Sequence, residues 1–219
     1  MDPSKPVTPD TKIETHPLEG AAAAYLDNRD YVHGSSLIEH LDEFFAGRDE
    51  TLNSIRFAQP LKNMGILILG AVEDLHFTAE SLICSSGTFQ NSSSNQRKFA
   101  IIDSQIAITE RKSSTEKETQ WRCTLDREAR SVSINLESST HPIGQIVFAM
   151  KLLCSQTVSE EAKWWFGSME KSVRIDQTDT SVSVKLTRNT LNRYVIGEIA
   201  TNAQTIGKIT FMSGAPNGQ

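Results

Sequence analysis

The chain has 219 residues, 38% of them hydrophobic and 22% charged, with a net charge of -5 at pH 7 and a pI near 5.6. That length supports one large domain or two small ones with a real core. The acidic balance excludes a protein that coats nucleic acid through bulk charge, although a local basic face stays open.

Charge is unevenly spread. Residues 1–60 hold five Lys/Arg against eleven Asp/Glu, whereas the rest holds seventeen against sixteen. Residues 1–20 combine four prolines with Thr, Asp and Glu and have little to bury, so a disordered acidic tail is expected there. The start of the chain (MDPSKPVTPDTKIE) is polar, which predicts an intracellular protein without a secretory signal. The AAAAYL run at 21–26 is expected to start a short helix.

The strongest helix signal lies at 36–46. Ser36 is read as its N-cap, with Glu39 at capping-box spacing. Leu37, Ile38, Leu41, Phe44 and Phe45 form one apolar stripe, and Gly47 stands where a left-handed closing residue is expected.

From Met64 onward, short β-prone runs alternate with Ser/Asn/Gly/Asp clusters. Strands are predicted at 65–72, 76–84, 99–109, 121–125, 131–137, 143–153, 172–175, 181–186, 194–200 and 206–212, with a short helix near 159–166. The longest strongly apolar run, 65–72 (GILILGAV), falls far short of the ~20 residues that span a bilayer, so no transmembrane segment is expected. Residues 123–140 align without gaps to 173–190, with six identities including Asp126/Asp176 and Ser131/Ser181. Both stretches are read as a strand, an Asp-opened turn and an alternating strand. A second echo joins IGQIVF at 143–148 to IGKITF at 206–211.

The fold expected from this pattern is mainly β, a β-rich α+β domain. An antiparallel sandwich or barrel-like core would occupy 59–219, with a helical segment over 21–58 packed on it.

Chemistry-bearing motifs are sparse. The sequence contains no GxGxxG, no GxxxxGK[ST], no HExxH, no EF-hand loop and no GxSxG. The five histidines lack metal-ligand spacing, so neither a cofactor nor a metal is expected and no catalytic residue is assigned. Cys84, Cys123 and Cys154 are an unpaired odd set and read as reduced, mostly buried thiols; a catalytic cysteine served by His141 is the minor alternative.

Asp103 closes an apolar run (FAII) inside a predicted strand. The stretches GILILGAVE and KFAIIDSQI, the second carrying Asp103, resemble the core of the thirty-kilodalton superfamily of plant-virus movement proteins over about residues 57–150. That resemblance implies a β-rich viral protein that binds single-stranded nucleic acid without sequence preference, with Asp103 in the family's central aspartate position. Basic residues are dense across 97–130, and Arg97, Lys98, Arg111 and Lys112 are the expected phosphate contacts.

A non-enzymatic binding or assembly protein of movement type is therefore the leading expectation. A self-associating coat or matrix subunit comes second. An enzyme or small-ligand binder with a β-barrel cavity comes third.

Overall fold

The helix signal at 36–46 corresponds to α1, Gly34–Ala46, whose buried stripe is Leu37, Ile38, Leu41 and Phe45. These positions recur at helical spacing and so face one side. Phe45 is fully buried and stacks on Phe89 at 4.4 Å, whereas Phe44 is half-buried against His16. The ends differ from expectation. The N-cap is His33 and not Ser36, which lies inside the first turn. Gly47 is right-handed at φ -63°, and the left-handed residue of this turn is Asp49 at φ 58°.

This computed structural model describes residues 13–19, 24–70, 83–91, 95–113, 120, 122–138, 140–175, 181–201 and 204–214. Among them the strands are β1 Glu14–Pro17, β2 Ala24–Leu26, β3 Glu50–Phe57, β4 Gly65–Leu69, β5 Ile83–Asn91, β6 Gln96–Asp103 and β7 Glu110–Lys112. They continue with β8 Cys123–Asp126, β9 Ser131–Asn135, β10 Trp164–Lys171, β11 Ser181–Thr190, β12 Tyr194–Thr201 and β13 Gln204–Ser213. A second helix, α2, spans Pro142–Thr157.

Eleven strands form one antiparallel sheet in the order β1-β4-β6-β5-β3-β10-β13-β12-β11-β9-β8, while β2 and β7 pair in parallel beside it. The seam is β3 against β10, with Ile55 opposite Met169. Each half places a helix directly before its seam strand, α1 before β3 and α2 before β10. The halves then differ. The second half is a run of hairpins, β11-β12-β13, whereas in the first β4 pairs with β6 and β5 takes the place beside β3. The helices touch each other and share one apolar cluster with the sheet. A helix layer thus covers the sheet where the expected sandwich would have a second sheet, and β1 and β8 are open edges among the described residues. The mainly β, antiparallel reading holds at that level.

Several expectations are corrected. Residues 143–153 are not a strand but the body of α2. Pro142 fits its first turn, where an N–H is not needed. Ile143, Ile146, Val147, Met150, Leu153 and Cys154 recur at three- and four-residue spacing and are buried. Residues 159–163 form no helix, and Trp164 opens β10. Residues 104–109 and 172–175 are not strands.

In the AAAAYL run, Ala24–Leu26 is strand; residues 21–23 lie outside the described residues. Residues 76–82 also lie outside them, and β5 begins at Ile83. The tail boundary moves, because β1 lies within 1–20 and pairs with β4; residues 1–12 are outside the described residues. A boundary at 58/59 would cut the sheet at its centre, since β3 pairs with both β5 and β10.

The 123–140 stretch is a hairpin, with β8 and β9 paired antiparallel, whereas residues 173–175 form no strand and 176–180 lie outside the described residues. The Ser-Val-Ser segments of the two stretches lie in β9 and β11, which pair with Ser133 opposite Ser183. Asp126 does close a turn, accepting the N–H of Ala129 at 2.8 Å.

Candidate active site

The N-termini of α1 and α2 open on one cleft of about 1080 Å³, just above the ~300–1,000 Å³ of small-molecule sites. Its apolar wall includes Phe57, Leu61, Phe148, Leu152, Trp164 and Phe166. Its polar end is built from His33, Ser35, Ser36 and Glu39 of the first half and Thr140, His141 and Gly144 of the second. Gly34 is needed where α1 begins, because a Cβ there would lie 2.9 Å from the Phe166 ring.

Glu39 is the most perturbed acid of this wall. Burial pushes its carboxyl up to about 7, helped by the nearby charge of Glu43 and partly opposed by a hydrogen bond from the backbone N–H of Gly144. Ser35, Ser36 and Glu39 lie at i, i+1 and i+4 of one helix, so Ser35 and Glu39 share a face about 5–6 Å apart at Cβ. The capping-box role expected for Glu39 is therefore replaced by a contact to the other helix.

The two N-cap histidines are placed alike. His141 Nδ1 accepts the N–H of Ile143 at 3.3 Å, which leaves the proton on Nε2, 3.8 Å from Asp42 Oδ2. Burial depresses the basicity of His141, against the opposing pull of Asp42 and Glu43. With one nitrogen accepting and the other facing a carboxylate, His141 is a neutral helix cap. His33 Nδ1 instead lies 2.7 Å from Ser35 Oγ, and α1 has no side-chain cap.

Beneath this wall, Asp42 of α1 and Lys171 of β10 form a buried ion pair across the two halves. Gln145 is buried and ties down the loop before α2 through the carbonyls of Glu137 and Thr140.

The residues expected to hold nucleic acid fall on two strands of separate sheets. Arg97 and Lys98 lie on β6; Arg111 and Lys112 lie on β7, in the other sheet. Arg97 stacks on Phe89 and faces Glu50 at 3.9 Å. Arg111 donates to the carbonyls of Asp27 and Arg29 and stacks on Tyr25. Lys112 joins the cleft wall. Asp103 ends β6, where it accepts from the N–H of Gln105 at 2.8 Å and from Asn63 at 3.2 Å, a turn-closing role.

Burial pushes the Cys84 thiol up to about 11 and Cys154 to about 12 and raises Cys123 as well, which disfavours the thiolate that cysteine chemistry with His141 would need. Among the described residues, no group of three His, Cys, Asp or Glu is placed to hold a metal ion, and no helix is long and apolar enough to cross a membrane.

No protein-family model matches the sequence, and no curated protein matches it. Solved structures similar to the chain include the dehydratase domain of PpsC from Mycobacterium tuberculosis, at 11% identity, covering 95% of this chain and 96% of that one, with a TM-score of 0.46. The dehydratase domain of a mycocerosic acid synthase-like polyketide synthase is similar at 8% identity, covering 94% and 91%, with a TM-score of 0.47. An acyl-ACP thioesterase from Bacteroides thetaiotaomicron is similar at 10% identity, covering 92% and 98%, with a TM-score of 0.44. The expectation of a non-enzymatic viral movement or assembly protein is corrected. The expected phosphate contacts are split between two sheets, and the guanidinium groups of Arg97 and Arg111 are engaged by neighbouring groups of the chain.

Sequence reading missed His33 because the helix start was placed three residues late. It missed Gly144 because α2 was taken for a strand. The signal that could have found both is the repeated pattern of a His at the head of an apolar segment, YVHGSSLI and THPIGQIV.

Proposed function

We propose that the chain is an enzyme acting on a small, largely apolar molecule held in the cleft between α1 and α2, with Glu39 giving and taking a proton at its polar end. The observation that carries this reading is a half-buried carboxyl, pushed up to about 7, in the wall of a cleft of about 1080 Å³. A group titrating near neutral pH supplies both an acid and a base there, which is what general acid–base catalysis requires. The bland alternative is that Glu39 only caps α2. That role favours an ionised carboxylate at a helix N-terminus, and burial has instead stabilised the protonated form.

The first turn of α1 adds a second element. Its N–H groups have no side-chain cap, and Gly34, Ser35 and Ser36 line the cleft. Such donors suit an oxygen that gains negative charge as the proton moves.

The test is binding of 11-(dansylamino)undecanoic acid, read by probe fluorescence at a series of pH values. Saturable one-to-one binding with an inflection near pH 7, lost in Glu39→Gln and weakened by cleft-filling Ala162→Phe, is expected. Absence of saturable binding, or binding indifferent to both substitutions, sinks the reading.

A further inference from the structure

The two helices carry the same residue at the same place and use it differently. His33 and His141 are both N-caps with extended backbone, at φ -72°, ψ 137° and φ -63°, ψ 133°. The His141 ring satisfies the N–H of Ile143, two residues on. In α1 the residue two positions on is Ser35, and the His33 ring bonds its hydroxyl in place of any capping bond to the helix. The second half has an apolar Ile at that point and can form no such pair. Helix capping therefore explains His141 and leaves the His33–Ser35 pair unexplained. Both members of the pair line the cleft, and Ser35 is 8% exposed, so its hydroxyl is screened from bulk water.

We propose that Ser35 is a nucleophile activated by His33, so that the reaction of the cleft is acyl transfer from an oxygen ester of a largely apolar acid. This rests on the reading of the cleft as a proton-transfer site and adds the bond that is broken there. Nδ1 of neutral His33 takes the hydroxyl proton while Ser35 Oγ attacks the ester carbonyl carbon. The carbon–oxygen bond to the alcohol breaks, and the proton on His33 passes to the departing alkoxide, giving free alcohol and acyl-Ser35. Ionised Glu39 then takes a proton from water as the water oxygen attacks the acyl carbon. The bond to Ser35 breaks, the proton returns to Oγ, and a free acid leaves. Water is the only co-reactant, and nothing is oxidised or reduced.

An alkyl fluorophosphonate added to the full chain tests the assignment by intact mass and peptide mapping. One adduct, on Ser35, is expected. It should be abolished in Ser35→Ala and formed about 100-fold or more slowly in His33→Asn, as for loss of a general base. Ser155→Ala is the control: this hydroxyl lines the same cleft but is bonded to the Leu152 carbonyl, and labelling should persist. Where His33→Asn does not fold, Ser35→Cys reports the same environment, because its thiol should titrate below the ~8.5 of a free cysteine. An adduct elsewhere, an unchanged rate in His33→Asn, or an ordinary thiol in Ser35→Cys overturns the proposal. Absence of a Ser35 adduct while the dansyl probe still binds with its inflection near pH 7 overturns the nucleophile alone. Absence of probe binding overturns both readings.

Discussion

Glu39 of α1 meets Gly144 of α2 so closely that a Cβ on Gly144 would lie 2.2 Å from Glu39 Oε1. The backbone N–H of Gly144 donates to this carboxyl, which makes the glycine the point where the second helix sets the proton affinity of an acid on the first. In Gly144→Ala the carboxyl must move and the hydrogen bond that favours its ionised form is lost. The Glu39 titration is expected to shift upward from about 7, with an overpacking cost of about 1–3 kcal/mol. Urea denaturation and an NMR titration check the two parts separately.

Glu39 also gives stability a pH dependence of defined sign. Its folded value is raised from 4.5 to about 7, so between those limits the folded chain holds a proton that the unfolded chain has released. Its contribution to stability therefore falls as pH rises through that window, by on the order of 1–3 kcal/mol, and stays low above it. Glu39→Gln should remove this decline and be more stable than the parent at pH 8. Unfolding midpoints at pH 5 and pH 8 for both proteins decide it; parallel shifts would falsify the assignment.

The buried Asp42–Lys171 pair joins α1 to β10, and burial lowers the proton affinity of Lys171 against the opposing attraction of Asp42. Lys171→Met leaves buried Asp42 with only the more distant His141 Nε2 at 3.8 Å and Arg174 Nε at 3.9 Å, and should cost about 3–5 kcal/mol. The double variant Asp42→Leu/Lys171→Met should recover most of that loss. A double-mutant cycle in urea measures it, and additive losses would show that the pair is not coupled.

Phe45, not Phe44, anchors α1. Phe45→Ala should cost about 3–5 kcal/mol, because the ring is fully buried against Phe89 and Phe99. Phe44→Ala should cost clearly less, since its ring is half-buried at the surface beside Arg48. Equal losses in thermal or urea unfolding contradict this division.

The three thiols should be slow towards iodoacetamide at pH 8 in the folded chain. Burial raises all of them, with Cys84 at about 11 and Cys154 at about 12. Half-buried Cys123 should react before the other two, and all three should react once the chain is unfolded in urea. Rapid alkylation of Cys84 or Cys154 in the native protein would place that thiol in a different environment.

The sequence disclosed α1 and seven of the strands because their apolar residues recur at one period and end on polar turns. It did not disclose α2. IGQIVF in α2 and IGKITF in β13 have nearly the same composition, and what separates them is the apolar spacing continued to Leu153 and Cys154. Strand β10 was hidden for another reason. Its buried face includes Lys171, a polar residue that only a distant Asp42 makes tolerable there. The site was hidden because its parts lie far apart along the chain. Strands β3 to β9 lie between Glu39 and Gly144 in the chain, and no local spacing brings the two residues together.

The most direct measurement is the side-chain carboxyl carbon shift of Glu39 in the full-length chain, followed by NMR from pH 3 to pH 9. An inflection near 7, with the signal absent in Glu39→Gln, is the expected result. An inflection near the ordinary 4.5 would leave the cleft without an acid poised at neutral pH and would contradict the proton-transfer reading.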